Sequence, residues 1–224
     1  MLKGSVDMKK IINNWHIISV FLAVITALIA IFGPWDFTQK ISLALIVCLF
    51  LHFYEEFGFP GGFPYMGVKV LLGKNEVDPE KWGANNLNSI FGNWSALILL
   101  YIIPLLIPGV RFLTVAAIIF SFLECFMHLI LFNVRLKTFY NPGFITAIIG
   151  MTPISIYYFI RIAGQSLYHW YDYAIAFVWC VAVFLFCFRS PLYWKLGEKK
   201  GYPFTPRSAF GLELKRMAQH SDMS

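Results

Sequence analysis

The sequence predicts an all-α membrane protein, a polytopic bundle of about six transmembrane helices with both termini in the cytoplasm. Of its 224 residues, 58% are hydrophobic and only 13% are charged, and the mean hydropathy is +0.66. Soluble domains carry about 25% charged residues, so this composition excludes a water-soluble globule. The 23 Phe, 11 Tyr and 7 Trp residues exclude a disordered chain, because that much apolar surface requires burial or lipid.

Six apolar stretches are each long enough to cross the hydrocarbon core of a bilayer, which takes roughly 20 helical residues. They lie at about 15–33, 40–57, 90–108, 111–133, 142–162 and 170–190. We therefore expect one transmembrane domain at 15–190, a short N-terminal segment at 1–14 and a basic C-terminal tail at 191–224.

Lys and Arg alternate between the connections in a pattern that orients the predicted helices. Fifteen fall on the side of the two termini, whereas the other side holds Lys40, Arg111 and Arg161. Because basic residues concentrate in cytoplasmic loops, both termini are predicted to be cytoplasmic, as in an inner-membrane protein. Proximity to anionic lipid accounts for the formal net charge of +6, so we expect the bilayer as a partner and no nucleic acid.

The longest connection, 58–89, is predicted to lie on the cytoplasmic side. Its first part is rich in residues that bend the chain, namely Gly58, Pro60, Gly61, Gly62 and Pro64. Residues 66–72 are apolar apart from one lysine, and we expect them to lie along the interface or to re-enter the bundle. Asp78 followed by Pro79 has the order of a helix N-cap and a first helical residue.

Ionisable side chains inside two of the predicted spans are the strongest indication of function, because they are costly in lipid. His52 is followed by Glu55 and Glu56, at spacings that place all three on one helix face. Glu124 and His128 share a face of the fourth predicted helix in the same way. Both helices are predicted to run towards the cytoplasm, so we expect the two faces to meet in the cytoplasmic half of the membrane.

Further polar residues fall at a similar predicted depth. We interpret them as groups that orient ligands or contact substrate, and they are Asn93, Asn133, Tyr140, Asn141 and Thr146. Tyr140 and Asn141 begin the sequence Tyr-Asn-Pro-Gly, which is also typical of a turn before a helix.

The predicted set of two imidazoles and three carboxylates suits a divalent transition metal, namely zinc, iron or manganese. Such an ion would relieve the repulsion between Glu55 and Glu56 at low dielectric. With an open position it would polarise a carbonyl or activate a water. Glu55, Glu56 and Glu124 are then the predicted catalytic groups, and the metal ligands are His52, Glu55, Glu56, Glu124 and His128.

Other interpretations of the same residues stay open on the sequence alone. A metal-free isomerase would use Glu and His as proton donor and acceptor. A proton- or ion-coupled transporter would use Glu124 and the Glu55 and Glu56 pair to relay charge. His52 and His128 would alternatively serve as structural bridges between helices, as polar side chains do in membranes.

The sequence His52-Phe53-Tyr54-Glu55-Glu56 near the end of an apolar helix resembles the HXXEE-domain family of small bacterial membrane proteins. The later segments Glu124 to His128 and Tyr140 to Gly143 add to this resemblance, which covers about residues 15–190. The resemblance implies a multi-pass bacterial protein in which His52, Glu55 and Glu56 matter, and it implies no reaction.

The function expected from these observations is that of a metal-dependent membrane enzyme. A centre in the cytoplasmic half of the bilayer suits an amphiphilic or lipid-like substrate that approaches from the inner leaflet. We expect hydrolysis as the first candidate reaction and oxygen-dependent iron chemistry as the second.

Overall fold

The computed structural model describes residues 7–214 and confirms the predicted all-α class, because this part of the chain contains helices and no strand. The predicted terminal segments 1–14 and 191–224 extend beyond this range, so Lys3, Lys215 and Arg216 lie outside the described residues. The helices are α1 Met8–Asn13, α2 Trp15–Phe32, α3 Phe37–Phe57, α4 Phe63–Leu71, α5 Asn86–Leu106, α6 Arg111–Leu136, α7 Thr146–Ile162, α8 Trp170–Arg189, α9 Pro191–Gly197 and α10 Pro206–Phe210.

Five of these helical segments are long and apolar enough to cross a membrane: α2, α3, α5, α6 and the segment Trp170–Gly197 that joins α8 to α9. The sixth predicted span is shorter than the stretch 142–162, because Asn141 to Gly143 form a turn in which Gly143 has a φ of 98°. Large apolar side chains such as Phe21, Phe32 and Val178 are exposed on the outside of the bundle. Exposed apolar surface of this extent requires lipid, so the chain is a multi-pass membrane protein.

Local sequence fixes where the central helices begin. The Asp36 carboxylate accepts from the backbone N–H of Gln39 at 2.8 Å, and the Gln39 side chain accepts from the N–H of Asp36, so this reciprocal cap starts α3. Asn85 and Asn88 form the same arrangement at the start of α5. Each cap supplies acceptors to N–H groups that have no partner within the helix.

Helix α3 lies at the centre of the bundle and contacts α2, α5, α6 and α7. Helix α8 packs on the opposite side of α6 and also against α5. We call the end of the bundle at which α3 ends and α5 begins the basic end, because the connection there carries Lys69, Lys74 and Lys81. Helices α6 and α8 also end there.

The connection at the basic end folds back under the bundle. The bend at Gly58 to Gly62 leads into α4, in which Met66 and Val68 are buried. Asp78 is an N-cap and Pro79 a first helical residue, as predicted, but the helix is a single 3₁₀ turn, Pro79–Lys81. The Asp78 carboxylate accepts from the N–H of Glu80.

The C-terminal part of the described chain, residues 198–214, covers this connection and is called the tail segment here. Its Ser208 carbonyl accepts from the N–H of Gly62 at 3.0 Å. Asn85 donates to the carbonyls of Leu196, Gly197 and Lys199 at 2.9–3.1 Å, just before and at the start of the tail segment. These bonds hold the loop and the tail segment together as one layer at the basic end.

Candidate metal centre

Four side chains from α3 and α6 converge inside the bundle, and we call them the His/Glu quartet: His52, Glu56, Glu124 and His128. Nε2 of His52 lies 3.4 Å from Oε1 of Glu56 and 3.7 Å from Oε2 of Glu124. Nε2 of His128 lies 3.5 Å and 3.6 Å from the same two oxygens. The predicted meeting of the two helix faces is therefore present in the fold.

The other imidazole nitrogen of His52 is held by Thr146 at the start of α7. The Thr146 hydroxyl lies 2.8 Å from Nδ1 of His52. The single proton of this hydroxyl faces Oε2 of Glu55 at 2.6 Å and the Gly143 carbonyl at 3.2 Å, and both of these oxygens are acceptors. Thr146 must therefore accept from His52, so Nδ1 of that imidazole carries a proton and Nε2 faces the carboxylates. In the neutral ring, Nε2 would present a lone pair to them.

Glu55 was expected to be a metal ligand, but both of its carboxylate oxygens accept hydrogen bonds from residues outside the quartet. Oε1 accepts from the Tyr140 hydroxyl and from the N–H of Ile145, both at 3.0 Å. Oε2 accepts from the N–H and the hydroxyl of Thr146. Glu55 thus serves as an anionic cap for the free N–H groups at the start of α7, where the helix dipole favours negative charge.

Tyr140, predicted as a second-shell or substrate residue, acts through this cap. Burial, together with the neighbouring Glu55 carboxylate, raises the pKa of the Tyr140 phenol well above its usual range. The phenol therefore keeps its proton and remains a hydrogen-bond donor to Glu55 at physiological pH.

His128 is oriented by Asn141 in an equivalent way. Oδ1 of Asn141 lies 2.6 Å from Nδ1 of His128, while Nδ2 of Asn141 donates to the His128 carbonyl and to Oδ1 of Asn133, both at 2.7 Å. The two donated bonds fix which end of the amide faces the imidazole. Nδ1 of His128 therefore also carries a proton, and Nε2 of this imidazole faces the carboxylates.

The spacing of the quartet suits an ion better than direct hydrogen bonds. Charge-assisted N–H···O bonds are about 2.7–2.9 Å long, shorter than the 3.4–3.7 Å found here. A tetrahedral ion with bonds of about 2.0–2.2 Å holds neighbouring ligand atoms about 3.3–3.6 Å apart. In addition, Nε2 of His128 is buried without a hydrogen-bond partner, which is costly unless something binds it.

The ligand atoms of His52, Glu124 and His128 all lie within 4.8 Å of one another, so these three residues could hold a metal ion. Oε1 of Glu56 adds a fourth oxygen close to both imidazoles. His52, Glu56 and His128 are almost completely buried, whereas the side chain of Glu124 is 20% exposed. The quartet therefore has one accessible carboxylate and three enclosed groups.

Gly143 makes the close approach of the two imidazoles possible. Its φ of 98° is in the left-handed region, and a Cβ at this position would lie 2.8 Å from Nε2 of His128 and 2.8 Å from Cε1 of His52. Any side chain would therefore displace the imidazoles. The sequence interpretation treated Gly143 only as part of a turn, and its position after Pro142 gave no sign of this contact.

His128 lies in a π-helical segment of α6, Met127–Phe132, and a second π-helical segment, Thr146–Met151, begins α7 at the residue that holds His52. Such segments are rare and frequently occur at functional sites, where they change the direction of a side chain. Here both of them carry residues of the centre.

A cavity of about 410 Å³ lies beside the quartet, and all four members line it. The other lining residues are mainly apolar side chains of α3, α4, α6 and α8. Asn93, predicted to contact ligands or substrate, also lies on the cavity wall, and it donates to the Ser89 carbonyl rather than to the quartet. Arg189, which the sequence interpretation did not select, lines the cavity at the end of α8.

No curated protein and no solved structure matches the chain. The family described as a protein of unknown function with HXXEE motif matches residues 43–158, just over half of the chain. The motif runs from His52 to Glu56, and the matched range also holds Glu124, His128, Asn141 and Thr146. The chain therefore belongs to the HXXEE family.

Proposed function

We propose that the protein is a membrane-embedded, metal-dependent enzyme whose ion is held by the His/Glu quartet. The observation that carries the proposal is that two Nε2 atoms and two carboxylates converge at 3.4–3.7 Å on the wall of an apolar cavity. Two imidazoles and a carboxylate are a common ligand set of catalytic zinc sites, and imidazole with carboxylate also suits iron and manganese.

Each residue of the centre has a distinct role in this proposal. His52, Glu56, Glu124 and His128 would hold the ion, while Thr146 and Asn141 keep both imidazoles in the tautomer that can bind it. Glu124 is the most exposed of the four side chains, at 20%, so it is also placed to receive a proton from a water or a substrate. Glu55, together with Tyr140, fixes the start of α7 and thereby positions Thr146.

A divalent ion at this place would supply Lewis-acid activation of a water or of a carbonyl group. Hydrolysis of an ester or amide bond in an amphiphile is the reaction that this chemistry and the apolar cavity favour. Oxygen-dependent chemistry on iron would use the same ligands and is the second candidate. We place the centre near the cytoplasmic leaflet of the inner membrane, because the quartet lies towards the basic end.

The proposal is tested by elemental analysis with mass spectrometry. The detergent-purified protein is first loaded with zinc, iron(II) or manganese, and the metal bound per chain is then measured. We expect about one ion per chain in the wild type and a loss of at least about tenfold in His128→Gln and Glu124→Gln. His169→Gln is the matched control, because His169 begins α8 at the opposite end of the bundle. Folding of every variant is checked by circular dichroism and gel filtration.

Full metal content in both quartet variants, or no metal above background in the loaded wild type, would overturn the proposal. In the second case the metal-free acid-base enzyme becomes the leading function, because the four groups would then exchange protons directly.

A further inference from the structure

The cavity beside the quartet has a polar part and an apolar part, which together indicate a class of substrate. Towards the middle of the bundle its walls are apolar, formed among others by Ala96, Phe120 and Cys180. At the basic end the walls include Ser89, Asn93 and Arg189, together with Tyr193 and Trp194. All four members of the quartet line the same cavity. A volume of about 410 Å³ is within the usual range of small-molecule sites.

Arg189 brings a positive charge to the polar part. Its guanidinium donates to the carbonyl of Phe188 at 3.1 Å and lies 5.4 Å from the ring centre of Phe184. Among residues 7–214, no carboxylate forms an ion pair with it. A half-buried guanidinium beside an apolar cavity is stabilised by an anion, which a ligand could supply.

The cavity reaches the lipid-facing surface between α6 and α8. The two helices are in contact where Cys180 donates to the Ala116 carbonyl at 3.2 Å. Nearer the basic end, Leu123 of α6 and both Val181 and Phe184 of α8 line the cavity and are 39–42% exposed. Cavity-lining side chains that are exposed to this extent mark an opening, so this seam is the place where the cavity opens towards lipid.

The aqueous side of the cavity is closed by the connection and the tail segment. Four residues line the cavity at the basic end: Val68, Leu72 and Trp82 of the connection and Phe204 of the tail segment. Trp82 and Phe204 are in ring contact, with centres 6.4 Å apart, and both are buried. A ligand therefore has a more direct path from the membrane than from water.

We propose that the cavity binds a single-chain lipid with an anionic headgroup, such as a phosphate monoester, which arrives through the seam between α6 and α8. The headgroup pairs with Arg189 and the chain extends along Phe120, Cys180 and Val181. The bond between headgroup and chain then lies beside the quartet. This inference deepens the proposed function by naming its substrate class, and it rests on that function only for the chemistry, since the binding itself needs no metal.

The test is competitive lipid binding, measured by native mass spectrometry on the full chain released from detergent. Lysophosphatidic acid and lysophosphatidylcholine of identical chain length are offered at equal concentration, and glycerol phosphate is offered separately as a headgroup without a chain. We expect the wild type to bind the anionic lipid at least about tenfold better than the zwitterionic one and to bind no glycerol phosphate. Equal binding of the two lipids would overturn the inference, and tight binding of glycerol phosphate would show a soluble anion as the ligand.

Two variants separate the contacts of the headgroup from those of the chain. Arg189→Gln should abolish the preference, so that the anionic and zwitterionic lipids bind about equally. Arg207→Gln is the control and should leave the preference intact, because Arg207 lies in the tail segment and does not line the cavity. Val181→Trp should weaken the binding of both lipids by a similar factor, because the larger side chain fills the seam. An unchanged preference in Arg189→Gln, or unchanged binding in Val181→Trp, would refute the proposed placement.

The metal content of the same samples distinguishes the two proposals. Arg189→Gln should retain its metal and lose lipid selectivity, while His128→Gln should lose its metal and retain lipid selectivity. Loss of selectivity without loss of metal therefore bears on the substrate class alone, and loss of metal with intact selectivity bears on the ligand set alone.

Discussion

The hydroxyl of Thr146 accepts a hydrogen bond from Nδ1 of His52 at 2.8 Å and donates its own proton to Glu55. This relationship connects all three named residues of the HXXEE motif to one centre, although only His52 and Glu56 belong to the His/Glu quartet. Glu55 holds Thr146, Thr146 holds His52, and His52 faces Glu56. The motif therefore combines two candidate metal ligands with the residue that positions one of them.

Removing the Thr146 hydroxyl should weaken metal binding without removing a ligand. We expect Thr146→Val to reduce metal affinity by about 10- to 100-fold, as is usual when the partner of a ligating imidazole is lost, and Thr146→Ser to restore it. Affinity is measured by competition with a chelator of known strength. Thr152→Val is the matched control, because the Thr152 hydroxyl donates only to the Ala147 carbonyl within the same helix. Equal affinities in Thr146→Val and Thr152→Val would contradict this role.

Asn141 should act on His128 through its acceptor oxygen. Asn141→Leu removes the partner of Nδ1, so we expect metal affinity to fall by about 10- to 100-fold. Asn141→Asp keeps an acceptor beside Nδ1 and should retain the metal, although it loses the bonds donated to the His128 carbonyl and to Asn133. Asn133→Leu leaves the contact between Asn141 and His128 in place, so it should lower metal affinity by less than about tenfold. Loss of metal in Asn141→Asp would show that the loop, and not the imidazole contact, is what matters.

A single methyl group at Gly143 should disrupt the centre. Gly143→Ala places a Cβ against both imidazoles, so we expect the metal to be lost. Gly164→Ala is the matched control, because Gly164 also has a positive φ, of 80°, but nothing lies within 4 Å of the added Cβ. Both changes should lower the free energy of unfolding by about 1–2 kcal/mol through backbone strain. Metal analysis of the two variants then separates the strain from the collision, and retention of metal in Gly143→Ala would contradict the packing described here.

The orientation of the bundle can be tested with two exposed positions at its opposite ends. Lys74→Cys lies in the connection at the basic end, and Gly109→Cys lies between α5 and α6. If the basic end is cytoplasmic, a membrane-impermeant maleimide should label only Gly109→Cys in spheroplasts and both variants after lysis. The wild type gives the background, since its four cysteines lie within helices of the bundle. Labelling of Lys74→Cys before lysis would reverse the orientation.

Much of the fold was predictable because lipid imposes a simple rule on sequence. A spanning helix needs a long apolar run, so α2, α3, α5, α6 and α8 appear close to their predicted positions. The pairing of His52 with Glu56 and of Glu124 with His128 follows from the helical period alone. Burial in an apolar span then made these residues stand out.

The sequence could not predict that Glu55 bonds to the start of α7 instead of joining the quartet. Its spacing from His52 places it on nearly the same face as Glu56, so periodicity does not distinguish the two carboxylates. The distinction arises from tertiary packing, because the start of α7 brings two free N–H groups and two hydroxyls to Glu55. The position of Asn93 is a similar case, since the direction of α5 around the cavity depends on contacts that hydropathy does not encode.

The bond between Gly62 and Ser208 joins an early loop to residues that the ribosome makes after every spanning helix. The quartet needs only α3, α6 and the start of α7, so it can assemble before Phe204 and the rest of the tail segment are synthesised. We therefore expect the centre to be open to the metal pool of the cytosol during biosynthesis and to be closed from below once the tail segment docks. The docked tail segment should therefore slow metal exchange in the mature protein without preventing it.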